Sequence, residues 1–246
     1  MLIFLNLFSF AEADFETKKL LQSLKETNAH RTMRVGQGIP NISQEAYKKA
    51  ANGDIVTGIQ AVAGYKEKIA WGVAVLKAPM KDFWASINDG EQHAGKTPVS
   101  FAKVIVGEPC HDKRQMLMIL PVPVMMDRWW IIQTSINTKI KNASQGRVRE
   151  MSWINVPNAD KISLTESLQA KVKDKKLVEF TRGAWFVLQL DDEHVLGEYH
   201  TWASGGDHVP ASITESLVLA SIVKTMRVME DYASSTTKLR CLNKMP

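Results

Sequence analysis

The feature that most constrains this chain is a long run near its C-terminal end, from Pro210 to about Tyr232, in which nothing breaks a helix. Val218, Leu219, Ile222, Val223, Met226 and Met229 recur there at three- and four-residue steps and fall on one broad apolar face. Lys224, Arg227 and Asp231 fall toward the opposite face. Ser204-Gly205-Gly206-Asp207-His208-Val209-Pro210 announces the helix: the glycines turn the chain, Asp207 suits an N-cap and Pro210 suits the first turn. A terminal amphipathic helix of this length needs a surface to lie on, and the residues ahead of it supply one.

Strand-like runs occupy most of that preceding sequence. Two are expected at 54–61 and 69–77, separated by a turn at Gly64; the second holds the β-branched and apolar Trp71-Gly72-Val73-Ala74-Val75-Leu76. Ala78-Pro79 then opens a helix reaching about Ile87, with Phe83, Trp84 and Ile87 directed inward, and Asn88-Asp89-Gly90 ends it. Six further strands are expected near 99–107, 114–121, 127–138, 147–156, 177–190 and 194–203. Gly107-Glu108-Pro109 reads as a turn and Asn142 to Gly146 as a polar hairpin loop. Residues 158–176 read as a lysine-rich, weakly helical, exposed insertion. The fold class is therefore α+β: an antiparallel sheet that must curl to hide its apolar face, covered by the terminal helix.

Before the sheet, Asp14 to about Asn28 reads as a short charged helix with Leu20, Leu21 and Leu24 on one side, and 31–40 as a basic, glycine-containing loop. Ser43 caps a second short helix that Asn52-Gly53 stops. The earliest residues carry a different signal. Leu2 to Phe10 is a short apolar run followed by Ala11-Glu12-Ala13, the pattern of a signal peptide cleaved after residue 13. It lacks a basic n-region, since no Lys or Arg precedes Lys18, but export to a periplasm or the exterior is the expectation. The chain thus divides into a leader (1–13), an N-terminal helix and basic loop (14–42), a sheet-and-helix domain (43–233) and a polar tail (234–246). The sequons at Asn41 and Asn142 would matter only in a glycosylating pathway.

With 246 residues, 45% of them hydrophobic, the chain can bury a sizeable core. Its net charge of +5 comes from scattered lysines, which suits a solvated surface better than a nucleic-acid footprint. The seven tryptophans sit in apolar runs and not among exposed basic residues, so no nucleic-acid partner is expected. Cys110 and Cys241 can form one disulfide or remain two thiols. Cys110-His111 has no second ligand pair at metal-binding spacing, so no metal is expected, and no cofactor motif is present.

Order and motifs together resemble the helix-grip superfamily, which includes START lipid-transfer domains, plant pollen-allergen-like proteins and aromatic polyketide cyclases. The resemblance spans about residues 43–233. It rests on Trp71-Gly72-Val73-Ala74-Val75 with Ala78-Pro79 and Phe83-Trp84, on Asp127-Arg128-Trp129-Trp130, on Gly183-Ala184-Trp185-Phe186, and on Glu198-Tyr199 before Gly205-Gly206. START is the nearest pattern. What the resemblance implies is a curved antiparallel sheet gripping the terminal helix, with a cavity between them that holds an apolar molecule, in some members with cyclisation chemistry.

The residues themselves support such a cavity. Alternation places Met116, Met118 and Leu120 on one face, and likewise Trp130 with Ile132, Met151 with Trp153, and Trp185 with Val187. Val218, Ile222, Met226 and Met229 on the helix would meet that face. Thioethers and large aromatics suit an adaptable apolar site, although they could equally fill the interior. Arg149, Glu198 and Tyr199 are the candidates for a polar group that selects a head group. The expected partner is a hydrophobic small molecule or lipid, with transient contact to a membrane surface; nothing in the sequence sets the ligand's identity or an oligomeric state. Exit is expected at Gly205-Gly206 and the 88–98 loop.

An enzyme would need a constellation of its own. There is no G-x-S-x-G elbow, Walker loop or H-E-x-x-H, and Gly36-Gln37-Gly38 lacks a third glycine. His194, Glu198 and His200 share one face of one strand, which could serve general acid–base chemistry but more often makes a solvent-facing polar stripe. Arg149-Glu150 and Asp127-Arg128 read as structural ion pairs or loop anchors. No catalytic residue is assigned; the alternatives to a binding protein are a cyclase- or hydrolase-type enzyme in the same cavity, or an interaction module with a filled core.

Overall fold

The computed structural model describes residues 17–123, 125–204, 211–235 and 239–244, with backbone alone for 211–214. The leader and the Gly205–Pro210 turn lie outside the described residues. Helix α1 (17–26) and the short α2 (Asn28–Arg31) come first, then α3 (Gln44–Ala51), whose cap Ser43 accepts the Ala46 amide at 3.2 Å. Strands β1 (Val56–Gln60) and β2 (Ile69–Lys77) follow, with α4 (Met80–Asn88) after them. The remaining strands are β3 (Phe101–Val106), β4 (Gln115–Leu120), β5 (Arg128–Ile136), β6 (Val148–Asn155), the two-residue β7 (Lys176–Leu177), β8 (Thr181–Gln189) and β9 (His194–Ala203). Helices α5 (Thr138–Ala143) and α6 (Glu166–Val172) interrupt the series, and α7 (Ala211–Ala233) closes the fold.

The strands form one curved sheet in the order β1-β2-β9-β8-β6-β5-β4-β3, antiparallel throughout except that β7 pairs parallel to β5. The chain joins β2 to β9 and β6 to β8, which brings its middle and its end into the centre of the sheet. Alternation gives each strand an inner and an outer side. On the inner side α7 and α4 pack against Ala74, Leu76, Met151, Trp185 and Val187. Ile222 and Met226 of α7 approach β2 at Gly72, where a Cβ would stand 2.5 Å from Ile222 Cγ2. Only glycine lets the helix lie this close.

The outer side is also covered. Leu20 of α1 and Tyr47, Ala50 and Ala51 of α3 pack on Val73, Val148, Phe186, Leu188 and Leu196. Over β4 and β5, Ala159, Ile162, Leu164, Val172 and Leu177 cover Leu117, Trp129 and Ile131. The 158–176 insertion is therefore a cap on the sheet, where sequence reading expected an exposed excursion. Lys161, Lys171 and Lys173 are exposed, while its apolar residues, spaced too irregularly to declare a face, reach the strands.

Other expectations are corrected in the same way. The loop expected at 142–146 includes the end of α5, because Asn137 caps that helix by accepting the Ile140 amide at 3.1 Å. Val223 is 37% exposed, since the apolar face of α7 is narrower than its sequence suggests. The polar tail is anchored: Cys241 is bonded to Cys110, Leu239 and Cys241 are buried with Ala85 and Tyr232, and Arg240 reaches Asp89 at 2.5 Å and Glu91 at 3.0 Å.

Candidate ligand cavity

Between the inner side of the sheet and α7 the core does not close. A floor chamber of about 160 Å³ is bordered by Met116, Met118, Ile132, Met151, Trp153, Trp185 and Met229. An outer chamber of about 320 Å³ is bordered by Leu120, Pro121, Val122, Val178, Leu217 and Val218. Val99, Trp130, Thr181, Tyr199, Thr201 and Thr225 border both, so the two chambers adjoin along a shared wall that includes three threonines. The outer part lies under the β4–β5 connection and the early turns of α7. Its walls are predominantly apolar, and its size falls at the lower end of the range for small-molecule sites.

The aromatic wall is built by strand pairing. Trp153, Tyr199 and Trp185 come from adjacent strands, with ring centroids 5.6 Å apart for Trp153–Tyr199 and 4.7 Å for Trp185–Tyr199. Burial raises the Tyr199 phenol to about 12, so it presents a neutral hydroxyl within this wall.

Of the residues expected at a ligand site, Met116, Met118, Leu120, Trp130, Ile132, Met151, Trp153, Trp185, Tyr199, Val218 and Met229 border the cavity. Val187, Ile222 and Met226 are on the correct side but are consumed by close packing against α4 and β2. Arg149 does not border the cavity. Its guanidinium lies 5.6 Å from the Trp84 ring centre, and its Nε donates to Gly146 O at 3.4 Å.

Glu198 is on the outer side of the sheet, as alternation with Tyr199 requires. It does not border the cavity. Its carboxylate takes Arg34 Nη1 at 2.7 Å, Arg31 Nη2 at 2.7 Å and the Tyr47 hydroxyl at 2.8 Å. Glu150 beside it receives the amides of Val35 and Gly36 and the Asn137 side chain. His200 Nε2 donates to Gln37 O at 2.9 Å. Both Glu198 and His200 are buried, so the stripe expected to face solvent is instead an internal polar seam gluing residues 31–37 onto the sheet. His194 stands apart, bonded to Asp191. The sheet separates this cluster from the cavity.

Sequence reasoning missed the polar groups of the floor chamber. Arg114 is 1% exposed and borders that chamber with His93. Arg114 Nη1 donates to His111 O at 2.6 Å and Nη2 to Asn88 O at 3.1 Å, while its Nε has no hydrogen-bond partner. Burial lowers the guanidinium to about 10, against the pull of Asp112 and Asp89, so it is charged at neutral pH. His93 is pushed down to about 3 by burial, with Lys96, Arg114 and Arg240 adding to the effect, and its Nε2 is unpartnered. Arg114 opens the strand expected at 114–121, and the alternation that points Met116 and Met118 inward includes it.

Among known structures, the chain superposes on a STAR-related lipid transfer protein fragment from Xanthomonas axonopodis (TM-score 0.57, 17% identity, 72% of this chain and 92% of that one). It also superposes on human StAR-related lipid transfer protein 5 (TM-score 0.59, 9% identity, 92% and 99%) and on human STARD10 (TM-score 0.58, 9% identity, 83% and 84%). The chain has the START-like helix-grip fold. No protein-family model matches the sequence, and no curated protein matches it. The START-like likeness takes in more than the sheet and α7, since the match to the second structure includes nine-tenths of this chain.

Proposed function

We propose that this protein binds a hydrophobic small molecule of the lipid class in the cavity between sheet and α7, and carries or sequesters it without bond chemistry. The observation that carries the reading is the pair of adjoining, mainly apolar chambers between sheet and α7, one reaching Leu217 and the other Met116. The START-like solved structures, among them two StAR-related lipid transfer proteins, support the ligand class. Each buried methylene contributes roughly 0.8 kcal/mol, so a chain of modest length can be held mainly by wall contact.

Exchange of such a ligand would use transient contact with a membrane surface. Leu217 at the mouth, 47% exposed, supports this as an apolar point of contact. The Cys110–Cys241 disulfide supports location in an oxidising compartment, in keeping with the export reading.

The deciding experiment is native mass spectrometry of protein purified from its own cells, with solvent extraction of whatever accompanies it. A stoichiometric apolar adduct, lost in a folded Met118→Asp variant, is the expected result. A clean apo mass that stays unchanged after incubation with lipid extract would sink the reading.

A further inference from the structure

Resting on that reading, we propose that the ligand is an ester whose carbonyl lies within its chain, with one apolar arm in each chamber and the carbonyl held by hydroxyls of the shared wall. Along that wall stand Val99, Trp130 and the hydroxyl side chains of Thr181, Tyr199, Thr201 and Thr225. None of these residues is charged, so the wall suits a neutral polar group and not an ionised head.

Strand pairing gathers the hydroxyls. Thr181 lies opposite Ala203, Gly183 opposite Thr201 and Trp185 opposite Tyr199, so alternation turns Thr181, Thr201 and Tyr199 to the inner side together. At Gly183 a Cβ would stand 2.2 Å from Trp153 Cζ2, so the Trp153 ring occupies the place of a side chain between Thr181 and Trp185. The hydroxyls of Thr181, Tyr199 and Thr201 have no hydrogen-bond partner among the described residues, and they are not sealed inside the protein. Thr225 Oγ1 on α7 donates to Ser221 O at 2.7 Å. Open hydroxyls in an apolar wall gain from an acceptor that arrives with the ligand, and a carbonyl oxygen can accept two such bonds.

Polar groups away from this wall are engaged or enclosed. In the floor chamber Thr97 Oγ1 donates to His93 O at 3.1 Å, Thr134 Oγ1 to Arg114 O at 3.3 Å, and the Arg114 Nη atoms to the His111 and Asn88 carbonyls. Arg114 Nε and His93 Nε2 are sealed within the protein. In the outer chamber Ser221 Oγ donates to Val218 O at 2.8 Å and Arg128 Nη1 to Met126 O at 2.6 Å. The outer chamber, about 320 Å³ against about 160 Å³, would take the longer arm.

The test sets hexyl dodecanoate against its isomer methyl heptadecanoate, which differs only in carrying the ester at the chain end. Both are offered together from cyclodextrin, and what the reisolated protein retains is extracted and measured by gas chromatography. The unaltered protein should keep the internal ester about tenfold over the terminal one, and a Thr181→Val, Thr201→Val double variant should bring that ratio to within about twofold. Equal retention of the isomers by the unaltered protein would overturn this inference and leave the carrier reading standing. A preference that survives in the double variant would overturn the role of the threonines. Octadecanoate retained over both esters would point to a charged head, as at Arg128, and would equally overturn it. Retention of no probe would sink the carrier reading and this inference together. Infrared spectroscopy needs no variant: the carbonyl band of bound hexyl dodecanoate should lie below its position in hexadecane, and an unshifted band would count against hydroxyl donors.

Discussion

Arg34 and Glu198 are far apart in sequence yet joined by a 2.7 Å bond from Nη1 to Oε2, with both side chains withdrawn from water. The Arg34 guanidinium also lies 4.4 Å from the Phe186 ring centre and 3.6 Å, through Nε, from Glu150. Two buried carboxylates that flank Phe186 from β6 and β9 thus depend on a segment that comes before the sheet in the chain. Removing the cation strands them. Arg34→Ala should cost about 3–5 kcal/mol of stability, measured by urea unfolding. A loss below about 1 kcal/mol would mean that Arg31, Tyr47 and water suffice, and that residues 31–37 are not a structural strap.

Acid should weaken the same fold through its buried histidines. Burial holds His200 at about 4 and His93 at about 3, both below the ordinary 6.5. A depressed pKa means the unfolded chain takes up these protons first. Stability is therefore complete above about pH 6.5 and falls as pH drops from there toward 4, by about 1.4 kcal/mol per pH unit for each histidine. Burial alone would raise the Glu198 carboxyl, but Arg34, Arg31 and Tyr47 outweigh it and hold it low, which adds a loss at still lower pH. Denaturant unfolding from pH 7.5 to 4.5 reads the slope. His200→Asn should reduce it, and a flat profile would refute the assignment.

The sequence made the strands and the closing helix legible because both have periods that side-chain burial imposes: β2 and β9 fall at the expected positions, and α7 ends one residue beyond Tyr232. Most of the cavity wall followed from alternation along β4, β5 and β6. Where the site was misread, the same rule was available and not carried through. Tyr199 and Glu198 are neighbours in one strand, so one faces the cavity and the other cannot. Arg114 shares the parity of Met116 at the start of the expected 114–121 strand, so the same alternation turns it inward. What alternation could not give was the outer covering. Arg31 and Arg34 look like a basic loop until a fold brings Glu150 and Glu198 beneath them, and that pairing spans more than a hundred residues.

Packing of α7 on β2 hangs on Gly72. A methyl there would meet Ile222 Cγ2 at 2.5 Å and Met226 Sδ at 3.0 Å, on a helix held in place by the rest of the core. Gly72→Ala should therefore destabilise by about 1–3 kcal/mol despite the better strand propensity of alanine. Thermal unfolding checks the direction: an unchanged or raised midpoint would show that α7 can move away from the sheet at little cost.

The disulfide should contribute more than any single packing contact, because it closes a very long loop. Cys110 and Cys241 are 131 residues apart, and cross-links of this span stabilise by about 2–4 kcal/mol in typical cases. Cys110 lies in the turn leading to Arg114, while Cys241 adjoins Arg240, whose bonds to Asp89 and Glu91 hold the tail beside α4. Reduction leaves the tail held by Arg240, through Asp89 and Glu91, and by the Leu239 contacts with Ala85 and Tyr232. A reductant should lower the unfolding midpoint of the unaltered protein and leave a Cys110→Ser, Cys241→Ser double variant where it already stands. Scanning calorimetry with and without reductant makes the comparison, with thiol titration to establish that the bond has opened. An unaltered midpoint in fully reduced protein would show that Arg240 and the Leu239 contacts hold the tail without the covalent link.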